Sequence, residues 1–244
     1  MDVGVIGGTG VGGRLAAMGG VPLAVPTVAG ILRGRVIQND GISILVVRRH
    51  SAGHTVPPHK VGYAAMAYGF RQLGVKACLA TAAVGSLRRE WVPGTLVVCS
   101  DFLDFSNRNL TLFDDQVVHT DFSQPFADTV REALIATAVG QQLEIEPKGV
   151  YINANGPRYE TPHEIEVYRQ MGGELVGMTA ASEAILMREA GVPYGCLAIV
   201  SNLAAGMTSE PLSHSGVVEV MEAKGEQVLS LLLATATMLG KQGA

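Results

Sequence analysis

The chain has 244 residues, 48% of them hydrophobic and 16% charged, which excludes a disordered segment and predicts one well-packed α/β domain over residues 1–244. Its formal net charge of −4 supplies no general attraction for nucleic acid, so any anion handled here must be gripped locally. No apolar run approaches the ~18 residues of a membrane span, and the start lacks a basic region followed by an apolar one, so a cytoplasmic protein is expected.

Short strand-like runs alternate with longer helical patterns, the signature of a sheet flanked by helices. In chain order, strands are predicted at Asp2–Ile6 and Ile42–Arg48, a helix at Lys60–Leu73, then strands at Ala77–Thr81 and Thr95–Cys99. A helix at Pro125–Gln141 follows, then a strand at Gly149–Ile152 and a helix at Thr161–Met171. The chain closes with a strand at Leu175–Gly177, a helix at Ala181–Ala190, a strand at Gly195–Ser201 and a helix at His214–Leu239. Pro162 behind Thr161 reads as an N1 proline after a capping residue. The stretch Asn107–Asp121 is polar and mixed, a loop long enough to have a task. Cys78, Cys99 and Cys196 each lie in an apolar run, with no C-x-x-C spacing, and read as buried reduced thiols.

Several segments carry candidate chemistry. Gly8, Gly10 and Gly13 satisfy G-x-G-x-x-G after the first strand. A dinucleotide site nevertheless fails, because Gly12, Gly13, Gly19, Gly20 and Pro22 are expected to break the helix that should follow, and no acidic residue stands where ribose recognition needs one. A glycine-rich turn with the Thr9 hydroxyl can still offer donors to a bare phosphate, or be a tight turn with no ligand. His50, His54 and His59 are spaced H-x3-H-x4-H, but Pro57 and Pro58 prevent a helix from aligning them, so no metal is expected. Arg49 at a strand end suits bidentate capture of phosphate, although an arginine there can also pair with a surface carboxylate. The small residues of Ala80–Leu87, where a strand ends, would let a ligand approach the backbone, or serve close packing. In Gly156-Pro157-Arg158-Tyr159-Glu160-Thr161 an aromatic able to stack on a flat base precedes a carboxylate able to accept its N–H. The bland alternative is that Glu160 only favours the positive end of the next helix. Met178-Thr179 and Ser201-Asn202 also end strands, where open α/β sheets bind ligands. Thr9, Arg49, Ala83, Glu160, Thr179 and Asn202 are therefore predicted to meet at one sheet edge as a phosphate-plus-heterocycle site.

Taken jointly, G-V-I-G-G-T-G, R-H-S-A-G-H-T-V-P-P-H-K, G-S-L-R-R-E-W-V-P-G-T-L-V-V, V-V-H-T-D-F-S-Q-P-F, G-P-R-Y-E-T-P-H-E-I and V-G-M-T-A-A-S-E-A resemble the trimeric purine nucleoside phosphorylase and methylthioadenosine phosphorylase superfamily, in order and along nearly the whole chain. The resemblance implies a twisted mixed β-sheet flanked by helices, assembled as a homo-oligomer (a trimer or a dimer of trimers) with sites near subunit interfaces. It implies phosphorolysis of purine nucleosides with inorganic phosphate as co-substrate, without metal or organic cofactor. By position, Thr9, Arg49, His50, the Ala83 backbone and Thr179 would hold phosphate. Tyr159 and Met178 would flank base and ribose, Glu160 and Asn202 would read the purine, and His119 would close the sugar pocket of a neighbouring subunit. Methylthioadenosine phosphorylases carry an aspartate pair where Ser201-Asn202-Leu203-Ala204 stands, and a small residue in place of Glu160. A carboxylate at 160 and a carboxamide at 202 instead match the N1–H and O6 of hypoxanthine or guanine, predicting preference for inosine and guanosine.

The 5′ end is ambiguous. Methylthioinosine phosphorylases share the glutamate and asparagine, and the region of His119 resembles that branch, whereas Pro211-Leu212-Ser213-His214 resembles the ordinary nucleoside branch with His214 facing a 5′-hydroxyl. Departures at Gly62–Met66, Ala82 and Ser182 read as lost polar contacts, and make a nucleoside-binding protein with impaired catalysis a further alternative.

Overall fold

A computed structural model describes residues 1–208 and 212–242. It contains a nine-stranded mixed sheet. The strands are β1 (Val3–Gly7), β2 (Val21–Thr27), β3 (Gly30–Asn39), β4 (Ile42–Arg48), β5 (Ala77–Ser86), β6 (Leu96–Asp104), β7 (Glu146–Asn153), β8 (Leu175–Gly177) and β9 (Tyr194–Leu203). The helices are α1 (Val11–Ala17), α2 (Tyr63–Gln72), α3 (Asp128–Gly140), α4 (Pro162–Gln170), α5 (Ala180–Glu189) and α6 (His214–Gln242).

Strands β4, β1, β5 and β9 run parallel and adjacent, so their carboxyl ends leave the sheet at one edge. Strand β9 also pairs antiparallel with β6, while β5 continues through β8 and β7 to β6. These five strands therefore close on themselves, and their shared rim meets the parallel edge. Helices α2 and α5 pack one face through Tyr63, Met66, Phe70, Ala184 and Met187. Helices α1, α3 and α6 pack the other through Leu15, Leu134, Met221, Val228 and Leu231. A smaller cluster, with Ile165 and Tyr168 of α4 against Ile152 and Val176, supports the chain just beneath residues 156–161.

Two expectations need correction. The glycines after β1 do not prevent a helix: α1 forms as a single short helix, with Val11 and Leu15 fully buried. Gly12 is required there, because a Cβ would lie 2.9 Å from the Gly7 carbonyl oxygen, so the residue that lowers helix propensity is the one that lets α1 press against β1. The β2–β3 hairpin is also additional to the predicted strands. Its edge strand β2 tolerates Pro22 and Pro26 because one side of its backbone has no ladder partner. A second hairpin follows it, in which Asp40 and Gly41, with φ of 48° and 83°, form the two-residue turn from β3 to β4.

Candidate active site

The carboxyl ends of β1, β4, β5, β8 and β9 surround a cavity of about 350 Å³. Thr9, Arg49, His50, Ala83, Tyr159, Glu160, Met178, Thr179 and Asn202 all line it. Thus all six residues expected at one sheet edge do meet there. His119 lies on the exposed loop before α3 and is not part of this wall. His214 begins α6, and its side chain lies outside the described residues. His59 is exposed and away from the cavity, and among the described residues no group of three or more His, Cys, Asp or Glu is arranged to hold a metal.

One end of the cavity gathers Arg49, His50 and Thr179. Arg49 is buried, and its Nε and Nη2 donate to the two carboxylate oxygens of Glu183 at 2.5 and 2.8 Å. Its Nη1 donates to the Thr81 carbonyl at 2.7 Å. Burial opposes the charge, but the neighbouring carboxylate more than offsets this and holds the Arg49 pKa above its ordinary value. Three of five N–H donors are committed, which fixes the plane of the guanidinium and leaves two for a ligand. The Arg49–Glu183 pair carries no net charge, so what Arg49 presents to the cavity is aimed donors more than net charge. Tyr194 donates to Glu183 at 2.7 Å and completes the buried cluster. Thr179 precedes α5 and makes no side-chain cap hydrogen bond, so its hydroxyl is not spent on the helix. Tyr151, buried beneath, accepts from the Thr179 and Ala180 N–H groups at 3.2 and 3.4 Å and seats that turn. His50 Nδ1 lies 2.8 Å from the Val56 carbonyl, and its ring lies tilted against that of His54, with centroids 4.3 Å apart.

The opposite end presents paired donor and acceptor groups. Glu160 is buried, and burial raises its pKa. The helix beside it is served by another residue: Thr161 Oγ1 accepts from the Glu164 N–H at 3.2 Å while Glu164 accepts from the Thr161 N–H at 2.7 Å. Arg158 adds a bidentate ion pair to Glu164, whose pKa these contacts hold down at about 2. The start of α4 is thus capped by Thr161 and Glu164, while Glu160 faces the cavity. Across from it, β9 carries a bulge: Val84 pairs with Val200 and Gly85 with Asn202, leaving Ser201 as the extra residue. The bulge turns Asn202 to the rim. Ser201 Oγ lies 2.7 Å from Asn202 Oδ1, and Asn202 Nδ2 donates to the Leu203 carbonyl at 2.9 Å, leaving its second N–H for the cavity. Leu212 and Val217 form an apolar wall at the α6 end.

Residue reasoning overlooked Glu183, Tyr151 and Tyr194. A signal existed for Glu183, a lone carboxylate inside the apolar stretch Ala180–Leu186, since a buried carboxylate demands a partner. Ser182 also needs correction. It is no lost polar contact, because its hydroxyl accepts from Arg108 at 2.8 Å.

A nine-stranded mixed sheet that gathers Arg49, Thr179, Glu160 and Asn202 around one cavity at its edge has the architecture of a nucleoside phosphorylase. The chain belongs to the phosphorylase superfamily, whose model matches residues 2–237. It is 40% identical over 216 residues to the 6-oxopurine nucleoside phosphorylase of Pyrococcus furiosus, covering 85% of this chain and 81% of that one. It is 36% identical to a Methanopyrus kandleri protein named "Probable S-methyl-5'-thioinosine phosphorylase", covering 95% and 90%. The fold matches the solved methylthioadenosine phosphorylase of Schistosoma mansoni in complex with adenine, with a TM-score of 0.94, 28% identity and coverage of 99% and 92%.

Proposed function

We propose that the cavity carries out phosphorolysis of 6-oxopurine nucleosides, converting inosine or guanosine and inorganic phosphate to free base and ribose 1-phosphate. The observation that carries this reading is the pairing of a buried Glu160 with Asn202 at one end of the cavity and Arg49 with Thr179 at the other. In this assignment Thr9, Arg49, His50, the Ala83 backbone and Thr179 bind phosphate. Tyr159 and Met178 pack on base and sugar. Glu160 accepts the purine N1–H, and an Asn202 N–H donates to O6 or N7.

The C1′–N9 bond breaks with its electron pair moving into the base, leaving positive charge on the ribosyl carbon. Asn202 stabilises the charge that develops at O6 and N7, an interaction that strengthens as the bond breaks. Phosphate held beneath the sugar screens the cation and then bonds to C1′ through one oxygen. Holding both reactants in line supplies much of the acceleration. The balance needs no metal, organic cofactor or covalent enzyme intermediate.

The working unit in this proposal is a single domain, 1–244, assembled as a trimer or dimer of trimers, with His119 completing a neighbour's sugar pocket. Three buried free thiols, Cys78, Cys99 and Cys196, support a cytoplasmic setting. A second reading, methylthioinosine as substrate, is favoured by the apolar wall of Leu212 and Val217; His214 would favour a 5′-hydroxyl instead.

The test compares kcat/KM for inosine, methylthioinosine and adenosine. Inosine is expected to exceed adenosine by ~10³-fold or more, since a mispaired buried edge discriminates strongly. Methylthioinosine outrunning inosine would select the second reading, and comparable rates on adenosine would remove the roles given to Glu160 and Asn202.

A further inference from the structure

We infer that Arg108 is a positioning residue that fixes three walls of the nucleoside pocket relative to one another, an inference that rests on the function proposed above. Arg108 lies on the loop after β6 and does not itself line the cavity. Its Nη2 donates to the Asn155 carbonyl at 2.6 Å. Its Nη1 lies 2.8 Å from Ser182 Oγ, 3.0 Å from the Met178 carbonyl and 3.3 Å from Tyr63 Oη. The guanidinium stacks over the Tyr63 ring at 5.5 Å, and Tyr63 Oη in turn donates to the Pro58 carbonyl at 2.9 Å.

Each contact reaches a different part of the site. Asn155 opens the segment that presents Tyr159 and Glu160. Met178 is itself a wall residue and precedes Thr179, and Pro58 is a wall residue on the segment after β4. One rigid fork thus ties the base-reading segment, the sugar-flanking turn and the segment after His50 into one geometry. An arginine suits this task because its planar donors are preorganised, and charge-assisted bonds to carbonyls are stronger than neutral ones. The loop is held in turn: Ser106 N–H donates to Asp104 Oδ1 at 2.9 Å, and Asn153 Nδ2 donates to the same oxygen at 2.9 Å. Ser182 supplies an acceptor to Arg108 that a residue without a hydroxyl could not.

The test uses full-length wild type, Arg108→Met, Arg108→Lys and Ser182→Ala. For each, inosine kinetics at saturating phosphate are measured together with calorimetric inosine binding without phosphate. Arg108→Met is expected to raise the inosine KM and Kd about tenfold while kcat stays within about threefold, the pattern of lost ground-state positioning. Arg108→Lys should recover part of that loss, since a point charge reaches fewer of the acceptors, and Ser182→Ala should weaken binding about threefold. If Arg108→Met does not fold, Arg108→Lys and Ser182→Ala carry the test. Unchanged KM and Kd in the folded variants, or a fall in kcat alone that tracks the folded fraction, would overturn the inference. Wild type that binds inosine yet releases no base would sink the proposed reaction, and the calorimetric ratios would still decide the role of Arg108. Wild type that neither binds nor cleaves inosine would overturn both.

Discussion

Glu160 and Glu164 stand four positions apart and show how surroundings divide one residue type into two roles. Glu164 is held ionised by Arg158 and the Thr161 backbone, whereas Glu160 is desolvated and its pKa rises above the ordinary 4.5. Between that ordinary value and the raised one, the folded state binds more protons than the unfolded state, so this group's contribution to stability falls as pH rises through the window. Glu160→Gln is therefore expected to have a higher Tm than wild type at neutral pH, with the difference vanishing below about pH 4.5. The same variant should lose inosine turnover by about 10²-fold or more, as a buried N1–H loses its charged acceptor. A lower Tm at neutral pH would show that Glu160 is satisfied within the free protein. Glu183 poses the opposite case. Glu183→Gln leaves the Arg49 charge buried without its counter-charge, and chemical denaturation should register a loss of about 3–5 kcal/mol, with a raised KM for phosphate. An unaltered phosphate KM in a folded variant would detach the Arg49–Glu183 pair from phosphate binding.

At the level of elements, the segment that carries Glu160 is fastened by the start of α4. Thr161→Ala removes one half of the capping box and is expected to cost about 1 kcal/mol, read as a shift in denaturation midpoint. Inosine KM should rise with it, because residues 156–161 lose their anchor. A stability loss with unchanged KM would mean that the Arg158–Glu164 pair suffices to hold the segment.

This cap was legible in Thr161-Pro162, as were the long amphipathic α6 and the buried strands that end in the site. What escaped sequence reading was the β2–β3 hairpin; the neighbouring Asp40-Gly41, which joins β3 to β4, is a hairpin signal that could have revealed β3. The proline-bearing β2 alternates only between exposed and half-buried positions, so it lacks a strong hydrophobic period. Helix α1 escaped for a related reason: its glycines lower helix propensity, and only tertiary contact with β1 shows why they are there. The β9 bulge at Ser201 could not be read at all, because register depends on the partner strand.

For the whole molecule, the six residues that sequence reasoning gathered do line one cavity, because each lies near the carboxyl end of a strand or just before a helix at the same sheet edge. The supporting pair of Glu183 and Tyr194 was hidden, since its members come from α5 and β9 and meet only in the folded chain; Arg108, on the loop after β6, was hidden because its partners on α2, α5 and the chain after β7 gather only there. His119 marks the next scale. It sits on an exposed loop, outside the wall of its own chain's cavity, so its proposed task in a neighbour's pocket requires assembly. Light scattering is expected to give the mass of three or six chains, and His119→Ala should raise the nucleoside KM without changing that mass. A fully active single chain would contradict the shared pocket.

The central claim is that phosphate, and not water, receives the sugar. The most direct measurement follows hypoxanthine and ribose 1-phosphate together from inosine, with and without added phosphate. The two products are expected in equal amounts, with no base released in the absence of phosphate. Hypoxanthine released without phosphate, or no release under either condition, would contradict the claim.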